Sequence, residues 1–249
     1  MEKAYKENIL LNKKMPQICV PLVGDEKEKL LEQAESAIKS KADLVELRID
    51  YYVKKNGFEN VYEVIKAVRE KLNLMPLILT FRTKKEGGEC EISNEKYEEI
   101  LINAAQNNLA DYIDLELNLG EAFVKRLCGE IKEKDCLVII SNHDFEKTVS
   151  ENELIKRMTD MEKMGADVAK VAMMPLCEED VVTLLSASIK MKKELSIPII
   201  TMSMGKVGAV SRLWGSLSGS AVTFASIGET SAPGQMESDK VFEVLQLLK

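Results

Sequence analysis

Along this chain, short runs of apolar and β-branched residues alternate with longer stretches whose apolar positions return every three to four residues. The short runs occupy 17–23, 43–49, 76–82, 111–117, 136–143, 167–172, 198–203 and 221–227, and predict eight strands. The longer stretches predict helices over 26–39, 61–72, 94–107, 120–132, 151–164 and 178–195, then a shorter segment at 205–217 and a closing helix at 238–248. Ser93 and Ser150 each precede a helical pattern and suit an N-cap, while Gly165 follows one and suits a C-cap. Most of the strands are apolar throughout, as strands covered on both faces are. Repeated β-then-α units over 249 residues fit a (β/α)8 TIM barrel, read as a single domain over 1–249. An open doubly wound sheet competes, but its first βα turn is usually glycine-rich. Here that turn is Val23-Gly24-Asp25-Glu26, with one glycine and two acids. Residues 84–91 read as a βα loop, and 228–237 as a loop able to cover a site.

Composition then narrows the class of function. A formal net charge of −7 argues against a nucleic-acid partner, which would call for a basic face. Five scattered cysteines without C-x-x-C spacing suit reduced thiols better than a disulfide framework or a zinc site. Residues 1–15 mix charges with Ile9, Leu10 and Leu11 and carry no secretory pattern. No apolar run reaches bilayer-spanning length. The expectation is a soluble cytoplasmic protein with neither nucleic-acid nor membrane partner.

The polar exceptions to the pattern carry the chemistry. Lys170 stands inside Ala-Asp-Val-Ala-Lys-Val-Ala, a predicted buried strand. Burial disfavours an ammonium, so the expected pKa is depressed to about 7–8, leaving an amine that can attack carbonyls. A structural lysine paired with an acid is the alternative. In a barrel, reactive groups project from the C-terminal ends of the strands. Those ends read Glu46-Leu-Arg48-Ile-Asp50, Thr80-Phe-Arg82, Asp114-Leu-Glu116 and Ser141-Asn-His143-Asp. Alternation puts Glu46, Arg48 and Asp50 on one face. Glu46 with Arg48, and Asp114 with Lys170, are the expected compensating pairs, since buried charges need partners. His143, the sole histidine, closes the run before that of Lys170 and is suited to proton transfer near neutral pH. Glu86 could hold its tautomer. Arg212, among Gly205 and Gly208, suits an anion, with carboxylate and phosphate both open.

Taken together, these pieces resemble the type I 3-dehydroquinate dehydratase family. The resemblance adds Thr80-Phe-Arg82-Thr-Lys-Lys-Glu86-Gly-Gly-Glu, Thr201-Met-Ser-Met-Gly, Ser211-Arg212 and Ser231-Ala-Pro-Gly-Gln235, in order over nearly the whole chain. It implies an imine between Lys170 and the ketone of 3-dehydroquinate, with His143 as general acid and base and Glu86 orienting it. It implies a substrate carboxylate on Arg212, and Glu46, Arg48 and Arg82 around the ring hydroxyls. Ser231 and Gln235 would reach in from the covering loop, and Met202, Met204, Phe224 and Asp114 would form the wall. It also implies a homodimer with no metal and no cofactor, and leaves fine contacts open at Pro21, where some relatives carry a small hydroxyl residue. Another Schiff-base barrel, such as a class I aldolase, would keep Lys170 but act on C–C bonds. A non-catalytic barrel would bind the ligand without turnover.

Overall fold

The computed structural model describes residues 15–248; the charged stretch with Ile9, Leu10 and Leu11 lies outside them. Eight parallel strands form one sheet: β1 Gln17–Leu22, β2 Leu44–Arg48, β3 Leu77–Thr80, β4 Tyr112–Glu116, β5 Leu137–Asp144, β6 Val168–Met173, β7 Ile199–Ser203 and β8 Val222–Phe224. Neighbours follow chain order from β1 to β7, and β8 returns to pair with β1. The ends meet where Ala221 N–H donates to Ile199 C=O (2.7 Å) and Thr201 N–H donates to Ser220 Oγ (3.0 Å). This closes the (β/α)8 barrel.

Helices on the outside connect the strands: α1 Lys27–Lys39, α2 Ile49–Asn56, α3 Val61–Leu72, α4 Asn94–Gln106, α5 Glu121–Lys132, α6 Glu151–Lys163 and α7 Glu178–Glu194. After β7 come two short helices, α8 Gly205–Gly208 and α9 Gly215–Ser218, and α10 Ser238–Leu247 ends the chain. Ser93 Oγ accepts Lys96 N–H (3.3 Å) and Ser150 Oγ accepts Glu153 N–H (3.4 Å), so both expected N-caps form. Gly165 takes φ +95° just past α6, the backbone that favours glycine there.

The period-two alternation of the strands separates two cores. Val20, Leu47, Leu79, Ile113, Ile140 and Val171 face outward, packed with helix residues such as Leu30, Ile65, Ile100, Leu127 and Leu154. Cys19, Leu44, Ile78, Tyr112, Ile139, Val168 and Ile200 fill the barrel interior. Each fully buried aliphatic side chain contributes about 1.5–3 kcal/mol, and the outer layer has most of them. That surplus lets the upper interior be charged.

Two expectations are corrected here. α2 starts immediately after Arg48 without a side-chain cap, where the predicted strand runs on to Ile49 and no helix is predicted between there and 61. The segment 205–217 is no single helix: it breaks into α8, a tight turn at Ala209–Arg212 and α9.

Candidate active site

Toward the C-terminal ends of the strands the inward positions switch from apolar to ionisable. Glu46, Arg48, Asp114, Glu116 and Lys170 occupy them, with Arg82 just past β3 and His143 on the last turn of β5. All but His143 are buried. A cleft opens among them, lined by Glu46, Arg48, Arg82, Glu86, His143 and Lys170 on its polar side. Phe145, Ala172, Met202, Met204 and Phe224 form the apolar side, and Ser231, Ala232 and Gln235 close over it from the loop after β8.

Lys170 is 3% exposed and sits between two carboxylates, Asp114 Oδ2 at 2.9 Å and Glu46 Oε1 at 3.1 Å. The Phe224 ring lies 4.6 Å from its nitrogen. This overturns the expected depressed pKa. Burial pulls the value down, but Asp114 and Glu46 outweigh it and raise it above the ordinary lysine range. The amine therefore rests as an ammonium.

The pairing of the other charges also differs from expectation. Arg48 engages Asp50 through Nε and Nη2, both at 2.8 Å, and leaves Glu46 to Lys170. Although α2 has already begun at Ile49, Asp50 still reaches back across the strand end, and its carboxylate also accepts the backbone N–H of Glu89 (3.2 Å). Arg82 bridges Asp114 (2.8 Å) and Glu116 (2.8 Å), and Glu116 binds Thr83 through both backbone N–H and hydroxyl. Ser141 donates to Asp114 (2.6 Å). Asp114, expected in the wall, is fully buried beneath the lysine and does not line the cleft.

His143 is fixed by Glu86. Glu86 Oε2 lies 2.8 Å from Nδ1 and accepts the His143 backbone N–H at 2.9 Å, while Asn142 Nδ2 donates to Oε1 (3.3 Å). Burial and the nearby Glu116 push the Glu86 carboxyl up to about 8. Burial, Arg82 and Lys170 hold the imidazole well below its ordinary value. Glu86 occupies Nδ1, so Nε2 is the ring nitrogen left to serve the cleft. In the ladder His143 pairs with Ala172 and Lys170 with Ser141, so the two stand two residues apart on adjacent strands. Strand rise and spacing put their Cα atoms about 8 Å apart, within reach of one small ring.

Glycine geometry brings Glu86 there. Gly87 has φ +83°, and a Cβ on it would meet the Phe145 ring at 2.4 Å; one on Gly88 would meet Arg82 C=O at 1.8 Å. Any side chain would push the loop, and Glu86 with it, off His143. Phe145 was not anticipated as lining, yet it is two residues past His143 and packs on this glycine.

Arg212 is nearly inaccessible and stands one side chain behind the cleft wall. It donates to Phe224 C=O (3.2 Å) and Pro233 C=O (3.1 Å) and touches Met202 Sδ, while its Nε has no partner. Among the described residues no carboxylate pairs with it, and burial lowers its pKa to about 10. Ser231 and Gln235 bond each other, with Ser231 N–H on Gln235 Oε1 at 2.8 Å. Pro21 pairs with Glu46 in the β1–β2 ladder.

Fold and site together define a (β/α)8-barrel enzyme whose amine and imidazole share one charged cleft at the strand ends. Residues 18–249 match the family described as Type I 3-dehydroquinase. A 3-dehydroquinate dehydratase of Clostridium kluyveri is 45% identical over 97% of this chain and 95% of its own. One from Klebsiella pneumoniae is 41% identical over 97% of each. The chain belongs to the type I 3-dehydroquinase family. Among solved structures, the Clostridium difficile type I 3-dehydroquinate dehydratase is 38% identical, covers 95% of this chain and 93% of its own, and superposes with a TM-score of 0.90. The Enterococcus faecalis enzyme is 36% identical over 98% of each, with a TM-score of 0.89. Among the described residues no helix is long and apolar enough to cross a membrane.

Proposed function

We propose that this protein dehydrates 3-dehydroquinate to 3-dehydroshikimate, in the shikimate pathway, through an imine on Lys170. The carrying observation is the buried lysine in the same cleft as a histidine whose Nδ1 is held by the Glu86 carboxyl group. A ketone acidifies its neighbouring C–H modestly, whereas a protonated imine places a full positive charge beside that carbon. His143 Nε2 takes the C2 proton, the C–H electron pair becomes the C2=C3 bond of an enamine, and the C=N pair moves onto the Lys170 nitrogen. The enamine then expels the C1 hydroxyl, protonated by the same imidazole, as water. Water hydrolyses the product imine and frees Lys170. No cofactor is required, because the lysine nitrogen is itself the electron sink.

Two further observations support the substrate. The Clostridium difficile relative is described with covalently modified comenic acid, a small cyclic carboxylate. In this chain Arg212 is a buried cation with no acidic partner among the described residues. We assign the substrate carboxylate to it, reached when the Pro233 carbonyl yields its place. Glu46, Arg48 and Arg82 then face the ring hydroxyls, while Ser231 and Gln235 close the top.

Borohydride added with 3-dehydroquinate should fix one reduced adduct per chain, mapping by peptide mass to Lys170; an unmodified Lys170 peptide would refute the imine. Arg212→Ala should raise KM about 30-fold or more, because a buried charged partner is worth about 2–5 kcal/mol. Arg212→Lys should recover part of that. Steady-state kinetics decide, and an unchanged KM would send the carboxylate elsewhere.

A further inference from the structure

We propose that Asp114 is a catalytic counter-ion, its carboxylate holding the Lys170 nitrogen cationic both before and after that nitrogen joins the substrate. The proposal rests on the imine reading above and assigns a residue that touches the reacting atom but lies outside the cleft. Asp114 Oδ2 lies 2.9 Å from Lys170 Nζ. Its other oxygen is pinned by Arg82 Nη2 (2.8 Å) and Ser141 Oγ (2.6 Å), so the carboxylate cannot turn aside as chemistry proceeds. Arg82 is also neutralised by Glu116 (2.8 Å), which leaves the Asp114 charge to the lysine. Glu46, the second acid on Lys170, lines the cleft and is open to the substrate. Asp114 has no such competing duty.

The charge bookkeeping of the reaction favours a fixed anion. An ammonium and a ketone give an iminium and one water: the C–N bonds form, both C–O bonds break, and the departing oxygen leaves with two protons from nitrogen. The positive charge on nitrogen is the same at both ends. It vanishes only in the amine and carbinolamine, and again in the enamine after His143 takes the C2 proton. Expulsion of the hydroxyl restores it. An anion fixed beside nitrogen thus keeps the imine protonated and favours the hydroxyl expulsion that restores the cation, at the cost of a scarcer free amine and a less acidic C2 proton.

The groups around Lys170 are Glu46 and Arg48 on β2, Arg82 after β3, Asp114 and Glu116 on β4, Ser141 and His143 on β5, Cys19 on β1, the Phe224 ring on β8 and Glu86 in the loop after β3. Asp114→Asn keeps the acceptor for Arg82 and Ser141. It also presents an N–H that an amine lone pair can accept and an ammonium cannot.

The test is borohydride trapping of full-length protein with 3-dehydroquinate across a pH series, read by intact mass, alongside turnover. D114N should move the trapping midpoint acidward by about 1–3 pH units, while turnover falls about 10-fold or more, one decade per unit of lost cation stabilisation. S141A removes a donor to Asp114 and no charge, so the carboxylate becomes a stronger partner and the midpoint should move alkaline. An unmoved or alkaline-shifted D114N midpoint, with the parent protein trapped normally, overturns the counter-ion and leaves the imine standing. A parent protein never trapped defeats the imine itself. If D114N does not fold, S141A decides alone, and a midpoint that stays or moves acidward overturns the proposal.

Discussion

Lys170→Met will fold, bind 3-dehydroquinate and leave it unconverted. Loss of the nucleophile removes the covalent route altogether, so turnover should drop by about 10⁴-fold or more. Arg48, Arg82 and Arg212 remain, and substrate should still raise the melting temperature. A stability cost comes with the change, because Asp114 and Glu46 lose the cation they share. Breaking a buried pair costs about 3–5 kcal/mol. Arg82 stays on Asp114 at 2.8 Å and Thr80 Oγ1 stays on Glu46 at 2.9 Å, so the lower end of that range is expected. Absorbance of the conjugated product and thermal melts check both parts; turnover within tenfold of the parent would dismiss Lys170.

His143→Ala should separate imine formation from elimination. The borohydride adduct on Lys170 still forms, slowly, while dehydration falls by about 10²–10⁴-fold, the usual scale for a general acid–base group. The Glu86–His143 contact also sets a pH dependence. Burial holds Glu86 protonated up to about 8 and keeps the imidazole neutral. While Glu86 keeps its proton it donates to Nδ1, and the ring proton sits on Nε2, where no base remains. Once the pair loses that proton, Nδ1–H donates to the carboxylate and Nε2 is free to abstract. The titration belongs to the pair. The expected profile of the elimination step, read from kcat once the imine has formed, rises with pH through about 8, and Glu86→Gln should abolish that limb. A flat profile in the parent protein, or near-normal dehydration by H143A, would take His143 out of the proton transfer.

Much of this site could be read from the chain because a parallel strand buried on both faces has no reason to carry charge. Lys170, His143, Glu46, Arg48 and Arg82 stood out as exceptions to an apolar rule, and the barrel geometry sent them to one end. Their partners were legible only in part: the expected Asp114–Lys170 pair forms, whereas the expected Glu46–Arg48 pair does not. Arg48 pairs with Asp50 because the chain turns into α2 at once, and no cap residue announces that helix. Asp114 looked like wall but lies under the lysine, a matter of depth that alternation does not encode. The pKa of Lys170 departs from the sequence expectation for the same reason: burial can be inferred from a strand pattern, whereas two carboxylates at 2.9 and 3.1 Å depend on three strands meeting. The break at 205–217 follows from Gly205, Gly208, Gly215 and Gly219, too many glycines for one helix.

The closing seam of the barrel bears on motion. β8 is three residues long, and a serine hydroxyl takes the part of a ladder carbonyl where it meets β7. Arg212 crosses this junction, its guanidinium on Phe224 C=O and its own carbonyl accepting Thr223 Oγ1 (2.7 Å). The side chain assigned to the substrate is thus also a clasp on the most lightly fastened edge of the cylinder. Occupancy and breathing of that edge become one equilibrium, and a bound carboxylate would register as slowed deuterium uptake along Val222–Phe224.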